Sequence, residues 1–143
     1  MRLVDVNLLL YATFDVYPMH ERGRAWLDDC INGDARVGLP WETLTAFVKL
    51  ASNPRVFSPC LSVGQAWKQA QYWLSFPNVW VPCPTAQHRD ILGKLLSRYG
   101  VTHKHVADAQ LAALAISHGL ILSSADDDFS RFTELRYENP LNE

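Results

Sequence analysis

Four acidic residues, Asp5, Glu42, Asp108 and Asp126, each follow a short apolar run or open one. Asp108 is the most informative of them. It stands in the first turn of an expected helix from Ala107 to His118, and Leu111 to Ile116 is apolar without a break. A carboxylate at the head of so buried a helix is costly unless something pairs with it. Gly119 fits the left-handed position just past a helix end. Leu120 to Leu122 then reads as a short buried strand leading into Ser123, Ser124 and three aspartates. The helix travels about 16 Å at roughly 1.5 Å per residue. A strand to Ser124 returns about 13 Å at roughly 3.3 Å per residue. Asp126 therefore comes level with Asp108, and two carboxylates meeting there repel unless a cation or a proton sits between them.

Four carboxylates at one edge suit a hard divalent cation. Magnesium takes oxygen ligands and keeps several waters. One or two such ions can acidify water and steady a phosphodiester for in-line displacement. The chemistry expected is metal-assisted phosphodiester hydrolysis. Taken singly, Asp5 and Glu42 are explained as well by helix-dipole stabilisation. Asp127 reads as solvated surface. Asp128 is either a fifth ligand or a cap for the turn at Phe129, with the cap favoured. Asn7 and Ser124 could orient the carboxylates through hydrogen bonds, or could cap their own helices and turns. His103 and His105 would allow metal-free acid–base cleavage of RNA; a loop contact with phosphate or solvent is the competing reading.

The elements that must position these groups alternate strand and helix. Arg2 to Asp5 is a strand, with Asn7 a candidate cap for the helix that buries Leu8 to Ala12. A second helix has a stripe of Met19, Trp26, Leu27, Cys30 and Ile31, closed by Asn32-Gly33. Arg36 to Leu39 is the next strand, and Pro40 starts a helix with Leu44, Phe47, Val48 and Ala51 inward. Ser62 and Gln65 form a capping-box pattern, followed by a stripe of Val63, Ala66, Trp67, Ala70 and Leu74. Val79 to Val81 is a third strand. Thr85 caps a helix with Ile91, Leu92, Leu95, Leu96 and Tyr99 inward, stopped by Gly100. Phe129 and Phe132 suggest one helical turn, and Leu135 to Glu138 a last strand. This alternation predicts an α/β fold with a mostly parallel sheet and helices on both faces. The four acids then gather at the carboxyl ends of the strands, where open α/β sheets bind ligands.

The chain has 143 residues, 48% of them apolar, which predicts one domain spanning 1–143 rather than a disordered chain. Its formal net charge of −2 excludes a general polycationic nucleic-acid coat. A mildly acidic chain can still approach phosphates through a bound cation. Cys30, Cys60 and Cys83 form no C-x-x-C pair, so neither a zinc knuckle nor a disulfide framework is indicated. The apolar run Leu8 to Ala12 is too short to span a bilayer. A cytoplasmic location without membrane contact is expected.

Asp5-Val6-Asn7, Trp41-Glu42, the run Asp108 to Ala113 and the run Ser124 to Phe129 together resemble the PIN domain. The closing Arg136 to Leu141 is similar to the end of a group of bacterial VapC toxins. The resemblance covers nearly the whole chain. It implies a three-layer α/β/α sandwich and a Mg2+- or Mn2+-dependent endoribonuclease acting on tRNA or rRNA. It also implies a toxin inhibited by a cognate VapB antitoxin. By matching position the acidic quartet falls on Asp5, Glu42, Asp108 and Asp126, with Asp5 and Asp108 the most direct metal ligands. Ser124 stands where threonine is common, so the hydroxyl is kept.

Two rival functions remain at this level. An acidic-pocket phosphoacceptor domain would need a lysine near the end of a late strand, whereas Lys49, Lys68, Lys94 and Lys104 fall on helices or before the Asp108 helix. A non-catalytic RNA- or protein-binding module would keep the fold alone. Tyr72, Trp73 and Leu50 lie off their helices' apolar stripes or at the margin. That predicts a protein interface, with a homodimer or an antitoxin as partner, unless Arg55 to Leu61 folds over them.

Overall fold

The computed structural model describes residues 1–142. Its strands are β1 (Arg2–Val4), β2 (Val37–Gly38), β3 (Val79–Trp80), β4 (Ile121–Ser123) and β5 (Tyr137–Glu138). Its helices are α1 (Val6–Thr13), α2 (His20–Ile31), α3 (Trp41–Ala51), α4 (Val63–Leu74), α5 (His88–Ser97) and α6 (Val106–His118). Short 3-10 turns at His103–His105 and Asp127–Arg131 complete the set. The five strands pair in the order β3-β2-β1-β4-β5, all parallel. The expected α/β/α sandwich is therefore present.

β1 is central because it is apolar on both faces. Successive side chains of a strand point to opposite sides, and Leu3 and Val4 enter different cores. Val4 packs with α1, α2, α3 and α4. Leu3 packs with α6, Leu95 of α5, Phe129 and Phe132. α6 lies deepest: Ala109 and Leu111 to Ala115 are all buried. It ends where Gly119 takes φ 67, the left-handed value that an L side chain resists. Among the described residues no helix is long and apolar enough to cross a membrane.

Several local expectations need correction. Asp5, not Asn7, caps α1: its side chain accepts the Val6 N–H in the first turn. Thr85 does not cap α5, which begins after Gln87, and Leu96 points outward. Met19 is also exposed. On α4 the Ser62 capping box forms as expected, but the buried face runs through Ala66, Ala70 and Trp73. Val63 is 63% exposed and Trp67 40%, whereas Trp73 is only 4% exposed. The large ring taken into the core is therefore Trp73 rather than Trp67. It meets Phe47 edge-on with centroids 4.9 Å apart. Trp67 instead stacks on exposed Trp41 at 6.5 Å. Trp73 is thus a core residue, which removes it from the expected interface. Tyr72 stays outside at 58% exposure, and Leu50 is half-buried against the same core.

Candidate metal centre

The centre is assembled at the carboxyl end of β1 and β4. Asp5 leaves β1 in extended conformation. One of its oxygens accepts the Val6 N–H at 2.8 Å, and the other accepts the Ser124 hydroxyl at 2.7 Å. Ser124 is fully buried just past β4. Its Oγ also accepts from Asn7 Nδ2 at 3.1 Å and from the Asp126 N–H at 3.0 Å. One donated and two accepted bonds use the whole capacity of a hydroxyl. Asn7 completes the link, its Oδ1 accepting the Ala125 N–H at 3.3 Å. Ser124 bonds the Asp5 carboxylate and also caps its own turn, while Asn7 reaches Asp5 only through Ser124. α3 is fastened to the same edge by the buried Thr43, whose hydroxyl donates to the Val4 carbonyl at 2.9 Å.

Asp108, Asp126 and Asp128 each bring a carboxylate oxygen into a group whose members all lie within 4.8 Å of one another. Asp126 caps the last 3-10 turn, accepting the Asp128 N–H at 2.9 Å. The capping role expected for Asp128 therefore belongs to Asp126, and the Asp128 carboxylate is free to turn toward Asp108. Burial, then the like charges of Asp126, Asp5 and Asp128, push the Asp108 carboxyl up to about 6, against the opposing pull of Arg131. Asp5 is also raised, chiefly by burial, although the Ser124 and Val6 bonds work the other way and Asp126 adds repulsion. Glu42 stands apart. It is exposed in the first turn of α3, with Gln110 Nε2 at 3.5 Å from its carboxylate.

The surroundings brace this group. Arg131 donates from Nε to the Asp128 carbonyl at 3.1 Å and places Nη2 3.8 Å from its carboxylate. Tyr137 donates to the Ser124 carbonyl and the Asp127 carboxylate, each at 3.2 Å. Burial, followed by that bond and the acidic neighbours, pushes its phenol up to about 12. His105 uses Nδ1 to accept from the Thr102 N–H at 3.2 Å, with Arg131 at 3.5 Å, while His103 is exposed. A histidine pair poised for acid–base work is not what these contacts describe. The cation beside the carboxylates is Arg131, not the lysine that a phosphoacceptor site would use. Tyr137, His88 and Gln110 escaped the sequence reading as site residues, since only contacts across the fold bring them here; Arg131 was also missed, although its i,i+3 spacing from Asp128 is a local signal.

The donor set fits a hard divalent ion. The clustered ligand atoms are all carboxylate oxygens, with no thiol or imidazole among them. Their mutual repulsion is the kind that a bound cation relieves. A cavity of about 770 Å³ lies elsewhere, between Phe14 and Leu27 on one side and Phe57 and Trp73 on the other, and none of the carboxylates line it.

Residues 2–135 match the PIN domain family. The chain is 38% identical to Ribonuclease VapC33 of Mycobacterium tuberculosis over 143 residues, the full length of both. It is 39% identical to Ribonuclease VapC37 of the same organism over 140 residues, covering 98% of this chain and 97% of that one. Among solved structures, VapBC2 from Rickettsia felis bound to a promoter DNA fragment aligns with a TM-score of 0.68 at 17% identity, covering 96% of this chain and 97% of that one. FitAB bound to the IR36 DNA fragment aligns with a TM-score of 0.69 at 19% identity, covering 99% and 96%. At such identities the structural likeness speaks for the fold.

Proposed function

Because the chain belongs to the PIN domain family, we propose that it is a metal-dependent endoribonuclease of the VapC type, the toxin of a toxin–antitoxin pair. The observation that carries this is the Asp108, Asp126 and Asp128 cluster beside Asp5, in a chain that matches VapC ribonucleases over their full length. Asp5, Glu42, Asp108 and Asp126 are the residues assigned to metal binding and catalysis, and Asp128 joins them. Mg2+ or Mn2+ is the cofactor proposed. When bound, the ion would supply positive charge to the scissile phosphate and acidify the attacking water.

The chain's own part is positioning. Ser124 and the α1 N-terminus hold Asp5 in one orientation. The Asp128 N–H fixes Asp126, and Arg131 steadies the Asp128 segment from behind. Asp108 enters the group from the first turn of α6. Arg131 is also a cation on which a substrate phosphate could rest.

RNA is the substrate proposed, and a VapB-type antitoxin the partner. The likeness to the VapBC2 and FitAB structures supports a partner. Self-association as a homodimer and a cytoplasmic location belong to the same reading, with residues 1–143 as one domain.

The test is cleavage of total RNA by purified protein with Mg2+ or Mn2+, with EDTA, and by Asp108→Asn. Sequencing new RNA 5′ ends after a pulse of expression in cells would identify the target. Cleavage is expected only with metal and only in wild type. Activity that survives EDTA, or full activity in Asp108→Asn, would overturn the assignment.

A further inference from the structure

Beyond the carboxylate cluster, α5 sends one polar ring into the protein. His88 is 9% exposed. Its Nε2 lies 2.7 Å from Gln110 Oε1, and its buried Nδ1 has no hydrogen-bond partner. Gln110 sits on α6 two residues beyond Asp108, with its Nε2 3.5 Å from Glu42 Oε2. Bond polarity fixes the direction of this chain. An ionised carboxylate only accepts, so Gln110 turns its NH2 group to Glu42 and its carbonyl oxygen to His88. That oxygen also only accepts, so His88 carries its proton on Nε2. In the neutral ring Nδ1 is then a bare lone pair, and it has no hydrogen-bond partner. A buried ring with an idle nitrogen is a poor choice for packing alone. What it supplies, and an apolar side chain would not, is one directed N–H.

We propose that His88 and Gln110 are positioning residues for the metal centre: the buried imidazole locks the Gln110 amide, and the amide holds the exposed Glu42 carboxylate toward the acidic edge. Among the described residues, Gln110 is the one side chain bonded to Glu42. Asp5, Asp126 and Asp128 have their own restraints, in Ser124 and the Val6 N–H, in the Asp128 N–H, and in Arg131. Glu42 has only this one. The proposal rests on the nuclease reading above, since it assigns Glu42 a place at the ion.

The experiment titrates Mn2+ calorimetrically, without RNA, into wild type, His88→Leu, Gln110→Met, their double variant and His88→Gln. Outer residues that orient ligands are worth roughly 10- to 100-fold in metal affinity. A single long bond to an exposed carboxylate belongs at the low end, so about tenfold weaker Mn2+ binding is expected in each single variant. The double variant should lose no more than either, because both break the same chain. His88→Gln can return an N–H near the Nε2 position and should recover most of the loss. KM for RNA should stay constant while half-saturating Mn2+ rises. In wild type the Gln110 side-chain amide resonances should shift on metal addition, and in His88→Leu they should lie at free-amide positions beforehand. Should His88→Leu not fold, Gln110→Met and His88→Gln decide the matter. Wild-type Mn2+ affinity in folded Gln110→Met would overturn the proposal and leave the nuclease reading standing. Failure of wild type itself to bind Mn2+ would overturn both.

Discussion

Replacing Asp108 with Asn removes a charge while nearly conserving shape, so it separates electrostatics from packing. In the metal-free protein the Asp108 carboxyl is pushed from 3.8 up to about 6. The folded state therefore holds this proton more tightly than the unfolded chain. Below pH 3.8 the group is protonated in both states and carries no penalty. Between about 4 and 6 the folded state binds the extra proton, so stability falls as pH rises, and above about 6 the full penalty applies. Two pKa units correspond to roughly 3 kcal/mol at about 1.4 kcal/mol per unit. Asp108 is only half-buried, however, and solvent screening reduces the expected penalty to about 1 kcal/mol. With EDTA at pH 7.5, Asp108→Asn should melt about 2–4 °C above wild type, the shift expected of a chain this size. At pH 4.5 the two should nearly coincide. Adding Mn2+ should reverse the order, because binding to the native state raises wild-type stability and the variant has lost a ligand. The assay is thermal unfolding followed by circular dichroism across this pH range, with and without Mn2+. Parallel melting curves for the two proteins at every pH, or a variant less stable at pH 7.5 without metal, would refute the picture of a repelling cluster.

Ser124→Ala breaks three hydrogen bonds at a buried position. It should cost about 1–3 kcal/mol in urea unfolding and weaken Mn2+ binding; unchanged metal affinity would mean that Asp5 needs no such support. Trp73→Ala should destabilise by roughly 3–5 kcal/mol, since Trp73 is a core residue against Phe47, and a loss within measurement error would return it to the interface. Tyr72→Glu should leave melting unchanged while weakening antitoxin pull-down or self-association seen by light scattering. If both associations persist, the contact of Tyr72 with Phe76 is packing within one chain.

Where sequence reading succeeded, period and chain direction were enough. Alternating strand and helix signals place helix starts at strand ends, so Asp5, Asp108 and Asp126 could be brought to one edge without any contact being known. The length argument for Asp108 and Asp126 needed only rise per residue, and Gly119 marked the reversal. It failed where a choice depended on a neighbour. α4 offers two overlapping apolar stripes that share Ala66 and Ala70, and the choice between Trp67 and Trp73 depends on Phe47 of α3, against which Trp73 packs. Whether Asp126 or Asp128 caps the turn depends on which carboxylate meets a backbone N–H, a matter of two residues' register. His88 and Gln110 lie 22 positions apart, and Gln110 and Glu42 lie 68 apart. No local pattern joins residues at such separations; only the pairing of α5 with α6 and of β1 with its neighbours does.

The Ser124 hydroxyl meets Asp5 across 119 positions of chain, and Glu138 of β5 meets Arg2 across 136. During synthesis the first of each pair leaves the ribosome long before the second. Until β4 docks beside β1, Asp5 is merely a helix cap, and Asp126 and Asp128 do not exist in folded form. A polypeptide not yet extended past β4 and the turn after it therefore carries no assembled acidic group, whatever its amino-terminal half has already built. The capacity to bind a metal arises together with the last strands rather than growing by increments. Any cleavage that depends on this group therefore waits until β4 and the turn after it have docked.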